Sequence, residues 1–485
     1  YGRRQELARL DADLEAVRAD GRGRLVTVRG RRRVGKSWLI EEFIERSKAP
    51  HVFFAASRQT PERELARFAE RLARSTLPAA ATATGITFET WEAALALATA
   101  EAEPAHPLII VIDEFPYLLE TNRDPVEGAF QAAWDRVLSR RPVLLILVGS
   151  DLAMMRSLDE YGRPLHGRAS RGVVVDPLTP LEIGRLLKLP AADTLDAYLV
   201  VGGFPEIARS WPAGQDLKMF LSTALADDSS PLVATGRRIL ESEFPVETQA
   251  RSILSVIGAG SRTYTAIATG TGIRTTNLTE PLKTLIDRRR IVDTRLPLSA
   301  AGSKERRYEI SDPYLRFYLR FIDPNLIDIE RGRGRVVTPV IWRDWSTYRG
   351  RAIEPLAREA IEQLLPDERV PGAAYVGGYW TRQNDPEIDL VGADKPDPPA
   401  KVAFIGSIKW RDDRPFGWHE INELRSKATR MAGVGPSAPI VGVSRAGFEA
   451  GRETLALALE PADLVRAWAV RPEDAVPPSE GMPGG

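Results

Sequence analysis

The sequence predicts an α/β protein of about three domains that opens with a parallel sheet. Short, nearly all-apolar runs alternate with helical patterns between residues 25 and 175, as is typical of strands buried on both faces. The 485 residues exceed the size of one ordinary domain. A hydrophobic share of 43% and a charged share of 27% are those of a globular chain with enough apolar material for a core.

The predicted elements of the first part are short strands with helices between them. We expect strands at 25–29, 52–56, 108–112, 143–148 and 173–175. We expect helices at 37–46, 62–74, 88–100 and 127–139. Helical periodicity then continues over 180–228, with helices such as 180–188 and 191–200, and predicts a helical lid appended to the sheet.

Two further units follow the lid. The first is predicted as helices 246–257, 264–269 and 275–287 before strands near 291–296 and 307–310, which is the winged-helix order. The second begins with a helix at 352–365 and continues with strands at 374–380, 388–391, 402–408 and 440–443. The predicted domains are therefore 1–179, 180–240, 241–325 and 340–472, followed by a disordered tail over 473–485.

Composition excludes several kinds of chemistry. The chain has no cysteine and four scattered histidines, so thiol nucleophiles and Cys- or His-rich metal sites are not expected. Lysine plus arginine and aspartate plus glutamate both number 66, which excludes a uniformly basic coat but permits local patches. The sequence carries no apolar run of membrane-spanning length and no secretory signal, so we expect a cytoplasmic protein without a membrane partner.

The stretch GRRRVGKS, from Gly30 to Ser37, matches the phosphate-binding pattern G-x-x-x-x-G-K-[ST] at every position. It follows a predicted strand and begins a predicted helix, which is the context that the motif requires. Lys36 is expected to reach the β- and γ-phosphates of ATP, and Ser37 to bind Mg²⁺. The expected nucleotide contacts are Gly30, Arg33, Val34, Gly35, Lys36, Ser37 and Trp38.

A second motif, which is acidic, is expected to complete the nucleotide site. The apolar run before Asp113 and Glu114 predicts a buried strand that ends in two carboxylates. We expect Asp113 to hold the Mg²⁺ shell and Glu114 to orient or activate the attacking water. Another predicted strand, 52–56, falls between the two motifs along the chain, as in P-loop ATPases with a catalytic glutamate on the second motif.

Three other features are candidates for the same site. Ser150 follows a predicted strand and would sense the γ-phosphate, or would be a plain turn residue. Arg163 and Arg168 are candidate arginine fingers or solvated loop residues, and the sequence does not decide between action within one chain and across subunits of an oligomer. The break at Gly202 to Pro205 would let backbone approach the adenine.

These motifs resemble those of the archaeal-type P-loop ATPases of the AAA/STAND-like group. The resemblance rests on GRRQEL, GRRRVGKS, IDEFPYL, GSDLAMM, YGRPLHGRAS and GGFPEI. The C-terminal part is similar to that family's partner domain of unknown function through DPYLRF, GGYW, EIDL and GSIKW. The resemblance implies ATP binding, slow hydrolysis and a switch-like role. The predicted fold is thus a P-loop NTPase parallel sheet with a helical lid, a winged-helix domain and a C-terminal restriction-endonuclease-like α/β domain.

The predicted winged helix carries ten basic and four acidic residues between Arg262 and Arg307, an excess of six positive charges. A winged helix that binds DNA turns its recognition helix toward the bases and its flanking basic residues toward phosphates. An interdomain clamp, with the arginines paired to acids elsewhere, is the alternative. The candidate DNA contacts are Thr276, Asn277, Lys283, Arg288, Arg289 and Arg290.

The C-terminal order of Glu354, Asp389 and Lys409 resembles the core of restriction-type nucleases. In active members an acid two residues before the lysine joins the strand aspartate in binding a divalent cation. Ser407 holds that position here and supplies no carboxylate. Glu387 or Glu420 would have to replace it. We therefore expect a degenerate nuclease fold that is kept for binding or scaffolding.

The sequence predicts an ATP-binding, Mg²⁺-dependent ATPase that acts as a nucleotide-controlled switch, coupled to double-stranded DNA or to a protein partner. An ATP-gated DNA nuclease is one alternative. A DNA-binding regulator that uses ATP only as a conformational ligand is the other.

Overall fold

The computed structural model describes residues 2–244 and 249–469, which form two compact units that divide after Leu178. The predicted tail at 473–485 and the start of the helix predicted at 246–257 lie outside the described residues. None of the helices within 2–244 and 249–469 is both long and apolar enough to span a membrane.

The first unit is a five-stranded parallel sheet covered by helices on both faces, which confirms the predicted fold class. Its strands, in the spatial order β2-β3-β4-β1-β5, are β1 (Arg24–Arg29), β2 (His51–Ala55), β3 (Leu108–Asp113), β4 (Val143–Gly149) and β5 (Arg171–Val174). Its helices are α1 (Arg4–Asp20), α2 (Lys36–Ser47), α3 (Pro61–Ala73), α4 (Ala80–Ala83), α5 (Trp91–Ala98), α6 (Pro116–Arg136) and α7 (Leu152–Ser157).

The sheet is buried on both faces because its strands are almost wholly apolar. Along β3, Ile110 and Ile112 pack into one core cluster, while Ile109 and Val111 pack into a cluster on the other face. The helix predicted at 127–139 is longer than expected and begins at Pro116, with Pro125 inside it. Proline at the first helical position needs no hydrogen-bond partner, which makes Pro116 a suitable start.

The second unit contains the helices predicted as a lid together with everything C-terminal to them. Its first helices are α8 (Pro180–Leu187), α9 (Ala191–Val201), α10 (Pro205–Arg209), α11 (Leu217–Leu225) and α12 (Pro231–Glu243). The segment that we call the winged-helix segment comprises α13 (Gln249–Gly258), α14 (Tyr264–Thr271), α15 (Thr275–Lys283) and the antiparallel pair β6 (Val292–Arg295) and β7 (Arg307–Ile310). Its order of three helices and two strands follows the predicted one.

The rest of the second unit is built around one long helix and a mixed sheet. Two short helices, α16 (Pro313–Phe317) and α17 (Leu326–Asp328), lead into α18 (Val337–Gln363), which starts well before the predicted 352. Then come β8 (Tyr375–Trp380), β9 (Glu387–Ala393), β10 (Val402–Lys409), α19 (Trp418–Ala428), β11 (Ile440–Ser444), β12 (Leu457–Leu459) and α20 (Pro461–Ala467). The first three strands are antiparallel neighbours, and β11 and β12 continue the sheet in parallel.

A buried carboxylate ties the lid helices to the C-terminal sheet within this unit. Asp196 of α9 accepts hydrogen bonds from Trp410 Nε1 at 2.8 Å and from Arg349 Nη1 at 3.1 Å. Arg445 Nη2 lies 3.1 Å from the same carboxylate. Burial raises the pKa of Asp196, and the arginines oppose that rise. Three donors from separate elements therefore meet on one side chain.

Candidate functional site

The loop between β1 and α2 has the backbone that phosphate binding requires. A Cβ at Gly30 would lie 2.3 Å from the carbonyl oxygen of Val175, so only glycine fits there. Gly35, at the start of α2, has a φ of +94°, and Arg33 has a φ of +67°. Val34 is fully buried and anchors the loop in the core. The loop thus turns its backbone N–H groups around the helix N-terminus.

Lys36 is buried beneath this loop. Its Nζ donates to the carbonyl oxygens of Gly30 and Arg31, each at 2.9 Å. Burial lowers the pKa of Lys36 to about 8, although the carboxylates of Glu114 and Asp113 act to raise it. The ammonium is thus held by weak neutral acceptors, which a phosphate can replace.

Ser37 and Asp113 meet at the carboxyl edge of the sheet. Ser37 Oγ donates to Asp113 Oδ2 at 2.7 Å, although their strands β1 and β3 are separated by β4. Burial raises the pKa of Asp113, while the hydrogen bond from Ser37 acts to lower it. A hydroxyl and a carboxylate so arranged offer the oxygen ligands that Mg²⁺ prefers.

Glu114 follows directly, with a left-handed backbone at a φ of +50°. Its amide donates to Asp113 Oδ1 at 2.9 Å, and its Oε2 accepts from Ser150 Oγ at 2.8 Å. Ser150 comes after β4, the strand that lies between the other two motifs. Ser150 is therefore hydrogen-bonded to Glu114, and the spacing of these residues along the chain could not indicate this contact.

Arg3 was not predicted as a site residue, yet its side chain binds the backbone of the phosphate-binding loop. It is 3% exposed, and its Nη2 donates to the carbonyl oxygens of Val34 at 2.9 Å and Asp176 at 2.6 Å. Its Nη1 lies 3.3 Å from Glu6. Its only signal in the sequence was the opening GRRQEL stretch. Arg3 joins the phosphate-binding loop to the segment after β5.

The two candidate arginine fingers are both bonded to carboxylates of α6. Arg168 forms a two-pronged pair with Asp135, from Nε at 2.8 Å and Nη2 at 2.7 Å. Arg163 pairs with the buried Glu127 at 2.6 Å and with Asp124 at 3.2 Å. These contacts raise the pKa of both arginines. Either arginine would have to break its ion pairs with α6 before it could bind a phosphate.

Two further residues, Trp38 and Pro205, were predicted to contact the nucleotide. Trp38 is half-buried in the first turn of α2. Pro205 starts α10 in the second unit. The preceding Gly202, at a φ of +56°, packs closely against Tyr314, and the rings of Phe204 and Tyr314 stack edge to face at 5.3 Å. Close packing within the second unit, together with the positive φ, therefore explains why residue 202 is glycine.

The predicted recognition helix exposes its polar residues. Thr276, Asn277 and Lys283 are all exposed on α15, and Arg289 and Arg290 are exposed just beyond it. Arg288 ends a single π-helical turn at 284–288. Two of the other basic residues counted from the sequence are paired: Arg295 with Glu309 at 2.5 Å, and Arg307 with Glu387 at 2.6 Å.

Of the four nuclease-like residues, Asp389 and Ser407 are hydrogen-bonded to each other, and the carboxylates of Asp389 and Glu354 are both occupied. Asp389 Oδ2 accepts from Ser407 Oγ at 2.8 Å and from the amide of Ile408 at 2.9 Å. Glu354 is paired with Arg358 at 3.0 Å, and burial raises the pKa of Glu354 against the effect of Arg358. Lys409 is half-buried at the end of β10.

Neither carboxylate that could have replaced the missing acid is available. Glu387 is paired with Arg307, as described above. Glu420 accepts from Arg411 at 2.7 Å and also from Arg414. Burial acts to raise the pKa of Glu420, but these arginines lower it to about 2. Within 2–244 and 249–469 no three His, Asp or Glu side chains form a group that could hold a metal ion.

Two parts of the chain match known protein families. Residues 2–207 match an ATPase domain found predominantly in Archaea, and residues 318–426 match a domain of archaeal and bacterial proteins of unknown function. The resemblance inferred from the motifs is confirmed. An uncharacterized protein of Methanocaldococcus jannaschii is 27% identical over 418 residues, which cover 84% of this chain and 87% of that protein.

Two solved structures are also similar. The Walker-type ATPase of Pyrococcus abyssi has 20% identity and a TM-score of 0.45, over 66% of this chain and 95% of that one. The ORC2 protein of Aeropyrum pernix, solved in ADPNP–ADP complexes, has 16% identity and a TM-score of 0.43, over 68% of this chain and 94% of that one.

We expect nucleotide affinity to fall as the pH rises through about 8, the value to which burial lowers the pKa of Lys36. Below that pH the ammonium is charged and attracts phosphate, and above it the amine is neutral. The dissociation constant for Mg·ADP should therefore rise about tenfold between pH 7 and pH 9, measured by isothermal titration calorimetry.

The matched control is Lys36→Arg, because a guanidinium stays protonated over this range. Its affinity should be weaker but nearly independent of pH. An equal pH dependence in the wild type and in this variant would show that another group is responsible.

Proposed function

We propose that this chain, whose residues 2–207 match an ATPase domain found predominantly in Archaea, hydrolyses ATP with Mg²⁺ and acts as a nucleotide-controlled switch. The observation that carries the proposal is the meeting of Lys36, Ser37, Asp113, Glu114 and Ser150 at one edge of the parallel sheet. Residues from three strand ends converge where nucleotides bind in sheets of this type.

Each residue of this group has a distinct proposed role. Lys36 neutralises the β- and γ-phosphates. Ser37 and Asp113 would hold Mg²⁺, which supplies charge stabilisation of the transferred phosphoryl group when it is bound. Glu114 orients the attacking water and accepts its proton, and Ser150 positions the Glu114 carboxylate, to which it is hydrogen-bonded at 2.8 Å.

Replacing the proposed base should separate nucleotide binding from turnover. We expect Glu114→Gln to bind ATP within a few-fold of the wild type, since the phosphate-binding loop is unchanged. Its steady-state release of phosphate should fall about 10²- to 10⁴-fold because the amide cannot accept a proton.

Glu120→Gln is the control for this experiment. Glu120 lies on α6 and pairs with Arg58 at 2.8 Å, so its loss should leave turnover nearly unchanged. Full ATPase activity in Glu114→Gln would contradict hydrolysis by this mechanism. It would then favour a regulator that uses ATP only as a conformational ligand.

We propose that the winged-helix segment couples this switch to double-stranded DNA. The exposed polar face of α15, with Thr276, Asn277 and Lys283, supports this proposal, as do Arg289 and Arg290 beyond it. Arg307 pairs with Glu387 of β9 and so supports the clamp alternative, whereas Arg295 pairs with Glu309 inside the winged-helix segment. Lys283 on α15 is exposed and would meet a phosphate.

Lys283→Ala should weaken duplex binding to the same extent for all sequences and should reduce the slope of log affinity against log salt by about one. Fluorescence anisotropy at several salt concentrations measures both quantities. Arg331→Ala removes an exposed arginine outside the winged-helix segment and should leave the slope unchanged. Equal slopes in all three proteins would favour a protein partner instead.

We propose that the C-terminal sheet binds or scaffolds but does not cut. Ser407 gives Asp389 a hydroxyl donor at 2.8 Å where active relatives of this fold need a carboxylate ligand. Glu354, Glu387 and Glu420 are each paired with arginine.

Duplex DNA incubated with this protein, ATP and Mg²⁺ or Mn²⁺ should therefore remain intact on a denaturing gel. Metal-dependent cleavage that disappears in Asp389→Ala, but persists in Asp413→Ala, would establish the alternative of an ATP-gated nuclease.

A further inference from the structure

A small cavity of about 270 Å³ lies within the second unit, between the winged-helix segment and α18. Its wall combines the end of α13, strand β7, the turn after α16 and the middle of α18. Four arginines line it, together with two acidic residues: Arg262, Arg316, Arg320, Arg351, Glu309 and Asp344. The cavity is smaller than the pockets that enclose drug-sized ligands, which run from roughly 300 to 1,000 Å³.

The acids and two of the arginines already have partners. Glu309 is bonded to Arg295 at 2.5 Å, and opposing arginines hold the pKa of Glu309 at about 2 against the effect of burial. Asp344 lies 3.3 Å from Arg320. Arg316 Nη2 donates to the carbonyl oxygen of Ile310 at 2.7 Å. These contacts fix the wall of the cavity.

Arg262 and Arg351 differ from the other two arginines. Within the described part of the chain, neither guanidinium donates a hydrogen bond or lies within 4 Å of a carboxylate. The carbonyl oxygen of Arg262 accepts from Tyr308 at 2.8 Å, which places the residue beside β7. Burial lowers the pKa of Arg262, although the carboxylates of Glu354 and Glu309 act to raise it.

Arg262 is half-buried, so its guanidinium has lost part of its water without gaining a hydrogen-bond acceptor, which is unfavourable. An anion in the cavity would remove that cost. Guanidinium groups bind tetrahedral oxyanions with charge-assisted hydrogen bonds, often in pairs. Two unpaired cations on opposing elements, one from the winged-helix segment and one from α18, suit a group with several equivalent oxygens.

We propose that this cavity is a phosphate-binding site in which Arg262 and Arg351 hold one phosphate group. The phosphate would belong either to the backbone of bound nucleic acid or to a free phosphate compound. The first source rests on the proposed DNA coupling, whereas the site itself does not depend on ATP hydrolysis.

The test uses the full chain carrying Lys36→Ala, so that the phosphate-binding loop contributes little. Calorimetric titration with inorganic pyrophosphate should detect binding in this chain. Adding Arg351→Gln or Arg262→Met should weaken that binding at least about tenfold, since each removes a charge-assisted hydrogen bond. Adding Arg335→Gln, at an exposed arginine outside the cavity, should leave the affinity unchanged.

Arg351 is exposed, so Arg351→Gln should fold normally even if Arg262→Met does not. No binding of pyrophosphate to the Lys36→Ala chain, or equal affinity in Arg351→Gln and Arg335→Gln, would overturn the proposal. A duplex-binding assay on the same variants identifies the source. Weaker duplex binding with a salt slope reduced by about one assigns the site to the DNA backbone. Unchanged duplex binding assigns it to a free phosphate compound.

Discussion

The hydrogen bond between Ser37 and Asp113 depends on the order of the strands. Ser37 follows β1 and Asp113 ends β3, and β4 lies between those strands, yet the two side chains are 2.7 Å apart. Parallel strands bring all their carboxyl ends to one edge of the sheet, so the loop after each strand can contribute to the same site. Lys36, Glu114 and Ser150 occupy their positions for that same reason.

In the second unit several buried carboxylates are paired with arginine. Asp196 lies between Arg349 and Arg445, Glu354 is bonded to Arg358, and Glu420 is bonded to Arg411. Removing one partner from a buried pair leaves an uncompensated charge, which is strongly destabilising. The Asp196 pairs join α9 to α18 and to the end of β11, and carboxylates engaged with arginine in this way offer little to a metal ion.

Local sequence patterns were enough to predict the parallel sheet, the phosphate-binding loop and the Asp113–Glu114 pair, because each depends on a short continuous stretch of residues. The contacts of Arg3 with Val34 and Asp176 were missed, since they join distant parts of the chain. The hydrogen bond from Ser150 to Glu114 was missed for the same reason. Helix α6 was predicted to start too late, because its first turns lack a clear apolar period and contain Pro125.

One helix connects the separate parts of the second unit. At 27 residues, α18 is about 40 Å long. Along it, Asp344 and Arg351 line the arginine-rich cavity, Arg349 reaches Asp196 of α9, and Arg358 Nε donates to the carbonyl oxygen of Asp389 in β9 at 2.9 Å. One helix therefore contributes contacts to α9, to the cavity and to β9, although Pro355 interrupts its backbone hydrogen bonding. A substitution that displaced α18 would disturb all three neighbours together.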